Sequence, residues 1–147
     1  AAFFDPDAIH RAVLNLVTNA IDAASGAQSR DEETQAEDED ESQGPKQPAK
    51  VFVQSRFEPS VGWIIDVIDN GPGVAAEDRE KIFSLFESRK GMRGTGLGLP
   101  VSAKIMREHG GDIQVLDAEI GCGTCFRIRL PADGTHLSEL VHRDTMV

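Results

Sequence analysis

Three glycines, Gly94, Gly96 and Gly98, crowd the stretch Gly91-Met92-Arg93-Gly94-Thr95-Gly96-Leu97-Gly98, just ahead of an apolar pattern with helical spacing. No other stretch limits the chain's architecture as tightly. Glycines this close together leave backbone N–H groups uncovered, and a helix starting there aims the positive end of its dipole at the same point. An anion, most naturally a phosphate, suits such a loop. An ordinary surface loop can have the same composition, so the reading depends on two further segments, Asn15–Asp22 and Asp69–Gly73.

The rest of the chain divides readily into elements. Asp5-Pro6-Asp7 is a helix start, with an acid at the cap, proline at the first helical position and another acid near the positive dipole end. Ile9, Val13, Leu16, Val17, Ala20 and Ala24 then recur at helical spacing, which predicts a helix ending near Ser25-Gly26. From Gly26 to Ala49 almost nothing is apolar, so this acidic segment is expected to be a disordered insertion. Val51, Val53 and Phe57 alternate with polar neighbours, and Trp63–Asp69 is an apolar, β-branched run, predicting two strands joined by a Pro59–Gly62 turn. A short helix over Glu77–Glu87 follows, with Ile82, Phe83 and Phe86 inward. A second helix is expected over Leu99–His109, with Val101, Ile105 and Met106 inward and Gly110-Gly111 ending it. Two strands, Ile113–Leu116 and Thr124–Leu130, complete the pattern, and a polar tail covers residues 132–147.

At 147 residues the chain suits one domain, here residues 1–131, with residues 26–49 as its insertion. No apolar run approaches the ~20 residues of a membrane span, and no basic-then-apolar leader opens the chain. A cytoplasmic domain is therefore expected, and the start at Ala1 rather than Met reads as a piece of something longer. Eight of the eleven residues from Asp31 to Glu41 are acidic and none is basic, so removing that run takes the net charge from −10 to −2. Nothing remains of the basic excess that a nucleic-acid partner requires. Cys122 and Cys125 fall on opposite faces of the last strand region, with no second cysteine pair to complete a metal site, and read as reduced thiols. His142-Arg143-Asp144 imitates a protein-kinase catalytic loop, but no room remains for the downstream residues that motif needs.

Two residue clusters complement the glycine loop. Asn15, Asn19 and Asp22 share one stripe of the first helix, away from its apolar face. A solvated polar face would look similar. Asparagine is a poor helix former, however, and neutral amide oxygens suit a Mg²⁺ that phosphates also hold. Asp69 ends an apolar strand at a Gly71/Gly73 turn. It can serve simply as a turn residue, or it can accept a hydrogen bond from an exocyclic amine such as adenine's, with the glycines letting a flat ring approach. Thr95 and the N–H groups of Gly94–Gly98 would hold phosphates, with Arg89, Lys90 and Arg93 in an expected mobile loop beside them. Neither a P-loop nor the Gly-x-Gly-x-x-Gly dinucleotide spacing is present.

These segments resemble a known family. Asn15-Leu16-Val17-Thr18-Asn19-Ala20, Asp69-Asn70-Gly71-Pro72-Gly73, Ile82-Phe83-Ser84-Leu85-Phe86, Gly94-Thr95-Gly96-Leu97-Gly98-Leu99 and Gly121-Cys122-Gly123-Thr124 are similar, in the same order, to the N, G1, F, G2 and G3 boxes of sensor histidine kinases. The match spans about Asp5 to Pro131 outside the insertion. The resemblance implies the Bergerat fold, a two-layer α/β sandwich with helices on one face of a mixed sheet, and its short lid is similar to that of the nitrogen-regulatory branch. It makes Asn19 the Mg²⁺ ligand, with Asn15 beside it near the phosphates, and gives Asn15 and Lys90 catalytic roles at the triphosphate. Asp69 becomes the adenine-reading acid, with Gly71, Gly73, Val74, Phe83 and Thr124 around the base. Gly94, Thr95, Gly96, Leu97, Gly98 and Leu99 line the phosphate side, and Asp22, on the stripe of Asn15 and Asn19, is expected among the nucleotide-binding residues. Ser88-Arg89-Lys90 departs from the Thr-Thr-Lys usual in that branch.

The implied activity is transfer of the γ-phosphoryl group of ATP to a histidine, for relay to the receiver domain of a response regulator, in a protein expected to be a homodimer. The family's acceptor is a histidine followed by an acid on a dimerisation helix. Here the four histidines precede Arg11, Gly110, Leu137 and Arg143, so the acceptor belongs to a domain outside this chain. ATP-driven clamps of the gyrase and mismatch-repair type share the fold but carry a glutamate where this chain has Asn15. A non-catalytic nucleotide-binding module is the remaining alternative.

Overall fold

Asp5 starts the first helix through its side chain: Oδ1 accepts hydrogen bonds from the backbone N–H groups of Asp7 at 3.0 Å and Ala8 at 3.1 Å. The computed structural model describes residues 4–33, 48–84, 98–118 and 123–132, with side chains of the first segment through Gly26. Helix α1 is Pro6–Glu33. Ala12, Leu16, Ala20 and Ala24 form its fully buried line, and Ile9, Val13 and Val17 flank it, as the spacing predicts. Three alanines on that line let the helix backbone lie close to the sheet. The helix does not stop at Ser25-Gly26 but runs on to Glu33, into the segment expected to be disordered. A single glycine costs a helix only about 1 kcal/mol, and Gln, Arg and Glu are good helix formers, so the chain continues. Residues 34–47 of the expected insertion lie outside the described residues.

Strands β1 (Val51–Glu58), β2 (Gly62–Asp69), β3 (Asp112–Asp117) and β4 (Thr124–Leu130) form one sheet in the order β1-β2-β4-β3. Every described pairing is antiparallel, so among the described residues the sheet shows no parallel pair of the expected mixed kind. Two neighbouring pairs are sequential, and the crossover through helix α2 (Gly98–Glu108) and β3 returns β4 alongside β2 in the opposite sense. The helices do lie on one face: α1 packs over β1 and β2, α2 over β3 and β4. Between the layers sit Leu16, Val67, Met106, Phe126 and Ile128. On edge strand β1, which the alternation predicts, Val51 reaches the core while Val53 and Phe57 are about half exposed.

The expected helix over Glu77–Glu87 is instead two 3₁₀ turns, Ala76–Asp78 and Lys81–Phe83, whose Ile82 and Phe83 still pack on the core. The single turns place these two side chains inward without a continuous helical face, and Phe86 lies outside the described residues. In α2, Ser102, Ala103 and Met106 are buried, while Val101, expected inward, is 44% exposed. Gly110, at φ +76°, closes α2: its N–H donates to the Arg107 carbonyl, and that of Gly111 to the Met106 carbonyl.

The opposite face of the sheet carries a charge inside an apolar strand. Asp66 is fully buried. It accepts hydrogen bonds from Arg127 Nε at 2.7 Å and Nη2 at 3.0 Å, from Arg56 Nη1 at 2.8 Å and from Gln54 Nε2 at 3.2 Å. Burial alone would raise its pKa, but these donors outweigh burial and hold the carboxyl below the usual range. Its stabilising effect is therefore complete above the unfolded value near ~3.9 and is lost as the pH falls through the lower folded value. We expect Asp66→Asn to lower unfolding free energy at pH 7 by about 1–3 kcal/mol, discounted for the partly exposed arginines. Urea denaturation at pH 7 and pH 3 checks this, and the difference between the two proteins should shrink at the lower pH.

Candidate functional site

At the end of β2 the strand register sets Asp69 opposite Thr124, and both are buried. Asp69 Oδ1 accepts the backbone N–H of Gly71 at 2.8 Å. Its second oxygen, Oδ2, is buried with no hydrogen-bond partner among the described residues. Burial pushes the carboxyl above its ordinary value, and the backbone N–H groups of Gly71 and Thr124 only partly oppose this. A buried acceptor oxygen without a donor is costly, and it is rare outside sites awaiting a ligand.

The surrounding backbone is drawn in to an extent that only glycine permits. A Cβ on Gly71 would stand 2.8 Å from Asp69 Oδ1 and 2.9 Å from the Ala23 carbonyl carbon of α1. A Cβ on Gly123, at φ +147°, would overlap the carbonyl oxygen of Asp69. Gly73, at φ +81°, bends the turn back towards Gly123. The G1 turn, the start of β4 and the helix α1 thus converge on one carboxylate.

The phosphate side starts two helical turns earlier on α1. Asn15 and Asn19 are half-buried, and Asp22 is exposed. Asn15 Nδ2 donates to Ser102 Oγ of α2 at 3.3 Å, and Gly98, the first residue of α2, lies against the Asn15 side chain. From Asn15 to Ala23, where Gly71 abuts the helix, the axis advances about 12 Å, at 1.5 Å per residue. α1 therefore links the buried acid to the amino end of α2 over roughly the length of an extended nucleotide. Of the other expected site residues, Val74, Phe83 and Leu99 are half-buried and pack against the core. Lys90, Gly94, Thr95, Gly96 and Leu97 lie outside the described residues. Ser102 was not anticipated: it is polar, and only the buried side of α2 reveals it. A separate open cavity of about 380 Å³, lined by Arg79, Glu80, Phe83 and Ile113–Leu116, is bordered by none of Asn15, Asn19, Asp69 or Thr124.

Among the described residues no group of three or more His, Cys, Asp or Glu side chains converges to hold a metal. A cation here would have to arrive with the ligand's own oxygens, for which a half-buried, neutral Asn19 amide is a fitting donor.

Comparison with known proteins agrees with this geometry. Residues 4–134 match the family described as histidine kinase-, DNA gyrase B- and HSP90-like ATPase, and the chain belongs to it. It is 32% identical over 138 residues to the nitrogen regulation protein NtrY of Azorhizobium caulinodans, covering 90% of this chain and 15% of that protein. It is 34% identical over 131 residues to the sensor histidine kinase ZraS of Escherichia coli K12, covering 89% of this chain and 23% of that protein. The chain thus spans less than a quarter of these relatives. Among solved structures, the catalytic domain of histidine kinase ThkA superposes with a TM-score of 0.66 at 28% identity, covering 89% of this chain and 70% of that one. The mycobacterial sensor histidine kinase MprB superposes with a TM-score of 0.64 at 25% identity, covering 88% and 73%. The fold is that of the ATP-binding catalytic domains of histidine kinases.

Because burial raises the folded-state pKa of Asp69 above its unfolded value, the ionised group costs stability at neutral pH, and this cost fades as the pH falls through the raised value. Asp69→Asn is therefore expected to match or exceed the wild type in thermal midpoint at pH 7, with any gain shrinking on acidification. Calorimetric melting at several pH values checks this; a lower midpoint at pH 7 would assign Asp69 to the fold.

Proposed function

We propose that this domain binds ATP with Mg²⁺ and passes the γ-phosphoryl group to a histidine on a dimerisation domain outside this chain. From that histidine the group would go to the receiver domain of a response regulator. The observation that carries this reading is Asp69 Oδ2, a buried acceptor with no donor among the described residues. An adenine exocyclic amine supplies the missing N–H, Gly71 and Gly73 let the ring approach, and Thr124 backs it.

Phosphoryl transfer asks little covalent chemistry of a protein and much positioning and charge neutralisation. Asn15, beside the amino end of α2, and Asn19, one turn further along α1, hold the triphosphate end, and the N–H groups of Gly98 and Leu99 at the start of α2 face its negative charge. Mg²⁺, bound by Asn19 together with phosphate oxygens, supplies neutralisation that the asparagine alone cannot. On the resemblance, Lys90, Gly94, Thr95, Gly96 and Leu97 complete the phosphate side. Asn15 is a carboxamide and cannot take a proton from water, which favours transfer to an acceptor over hydrolysis. The similarity to NtrY, a nitrogen regulation protein, and to ZraS, a sensor histidine kinase, supports the same reading. We place the domain in the cytoplasm, as part of a homodimer; no helix among the described residues is long and apolar enough to cross a membrane.

Mixing the chain with γ-labelled ATP, Mg²⁺ and the dimerisation domain of its own full-length protein tests the proposal. Label is expected on the dimerisation domain, lost on substituting its acceptor histidine, and absent from this chain alone. Acid-labile label accumulating on this chain by itself would overturn the assignment of the acceptor.

A further inference from the structure

Ser102 is fully buried on α2, yet it belongs to neither the core's apolar set nor the nucleotide contacts proposed above. Its hydroxyl lies between two groups of α1. The Oγ–H donates to the Ala12 carbonyl oxygen at 3.3 Å, and Oγ accepts from Asn15 Nδ2 at 3.3 Å. A serine hydroxyl has one proton to give. With that proton committed to Ala12, the oxygen can only accept, so Asn15 must present its amino end. Turning the amide over would demand the same proton for Asn15 Oδ1. Ala12 would then keep only its helical partner, the Leu16 N–H, and its oxygen would lie against Ser102 Oγ without a hydrogen between them, so the observed orientation, which uses one more hydrogen bond, is the favoured one.

The amide is planar, with nitrogen and oxygen on opposite branches, so Oδ1 is directed away from Ser102. No described residue donates to it. Gly98 keeps the space beside the carboxamide open, since a Cβ there would stand 3.8 Å from Asn15 Cγ.

We infer that Ser102 is a positioning residue that fixes which end of the Asn15 carboxamide faces the nucleotide, so that Asn15 offers an oxygen to the cation rather than an N–H to the phosphates. This rests on the proposal that Asn15 borders the triphosphate. Without Ser102 the amide can rotate, and the oxygen is presented only part of the time. The loss should therefore depend on Mg²⁺, which a packing defect would not.

The test is calorimetric titration of ATP, with Mg²⁺ and with the metal chelated, into the wild type, Ser102→Ala, Asn15→Ala and the double variant. Ser102→Ala is expected to weaken Mg²⁺·ATP about 3- to 10-fold, the worth of one hydrogen bond, and to leave metal-free ATP within about twofold. The double variant is expected to bind no more weakly than Asn15→Ala alone, because the serine acts through that amide. Equal loss with and without Mg²⁺ would reduce Ser102 to a packing role and overturn the inference. An unchanged Ser102→Ala beside a weakened Asn15→Ala would overturn it while leaving the functional proposal intact. An unchanged Asn15→Ala would overturn the placement of Asn15 itself. Should alanine at this buried position prevent folding, Ser102→Cys, close in size but a much weaker hydrogen-bonding group, is expected to show the same Mg²⁺-dependent loss, and a Mg²⁺-independent one would contradict it.

Discussion

One carboxylate, buried where β2 ends and half-satisfied, organises this molecule. Asp69 keeps one oxygen on the Gly71 N–H, and the other is buried without a donor among the described residues. A protein selected only for stability would fill that position with an apolar residue or add a partner. The other buried acid, Asp66, three residues earlier and on the opposite face, is held by Arg56, Arg127 and Gln54. The two acids differ in environment rather than in type, and only one of them has spare capacity for a ligand.

The rest of the site follows from how closely backbones approach that acid. Gly71 presses the turn onto Ala23 of α1, and Gly123 brings the start of β4 against the Asp69 carbonyl. α1 is therefore both the main core helix, along Ala12, Leu16, Ala20 and Ala24, and the ruler that fixes the interval between Asp69 and the asparagines. α2 meets it through Ser102, whose single proton ties the two helices and sets the amide of Asn15. Core packing and site geometry are carried by the same contacts, so distortion of the α1–α2 pairing would be felt at the nucleotide.

Much of this was legible in the residues, for physical reasons that differ from place to place. The Asp5 cap, the buried line of α1, the β1–β2 turn and the Gly110 helix end are local, and local chemistry sets them. Asp69 stood out because an acid closes an apolar strand at a glycine turn. What failed depended on neighbours distant in sequence. α1 runs past Gly26 because one glycine cannot stop a helix flanked by helix formers. The alternation of Val51, Val53 and Phe57 marked strand β1, but how far each is buried depended on the sheet edge, where Val53 and Phe57 stay about half exposed and Phe57 meets Trp63 edge-on. The mixed sheet implied by the family resemblance is antiparallel in every described pair, and nothing in the strands' own residues could have told which neighbours they take. Ser102 could not be told from any helical serine until α1 was seen beside it. Lys90 and Gly94–Leu97, legible as a phosphate loop, lie outside the described residues.

The central claim is that the open oxygen of Asp69 reads an exocyclic amine. It is tested most directly by comparing two purine nucleotides on the unaltered chain: ATP, which carries the amine, and inosine triphosphate, which has a carbonyl in its place. With Mg²⁺ present, calorimetry should find ATP tighter by about 5- to 150-fold, because the carbonyl leaves two acceptors opposed in a desolvated pocket. Equal affinity for the two nucleotides would contradict the account.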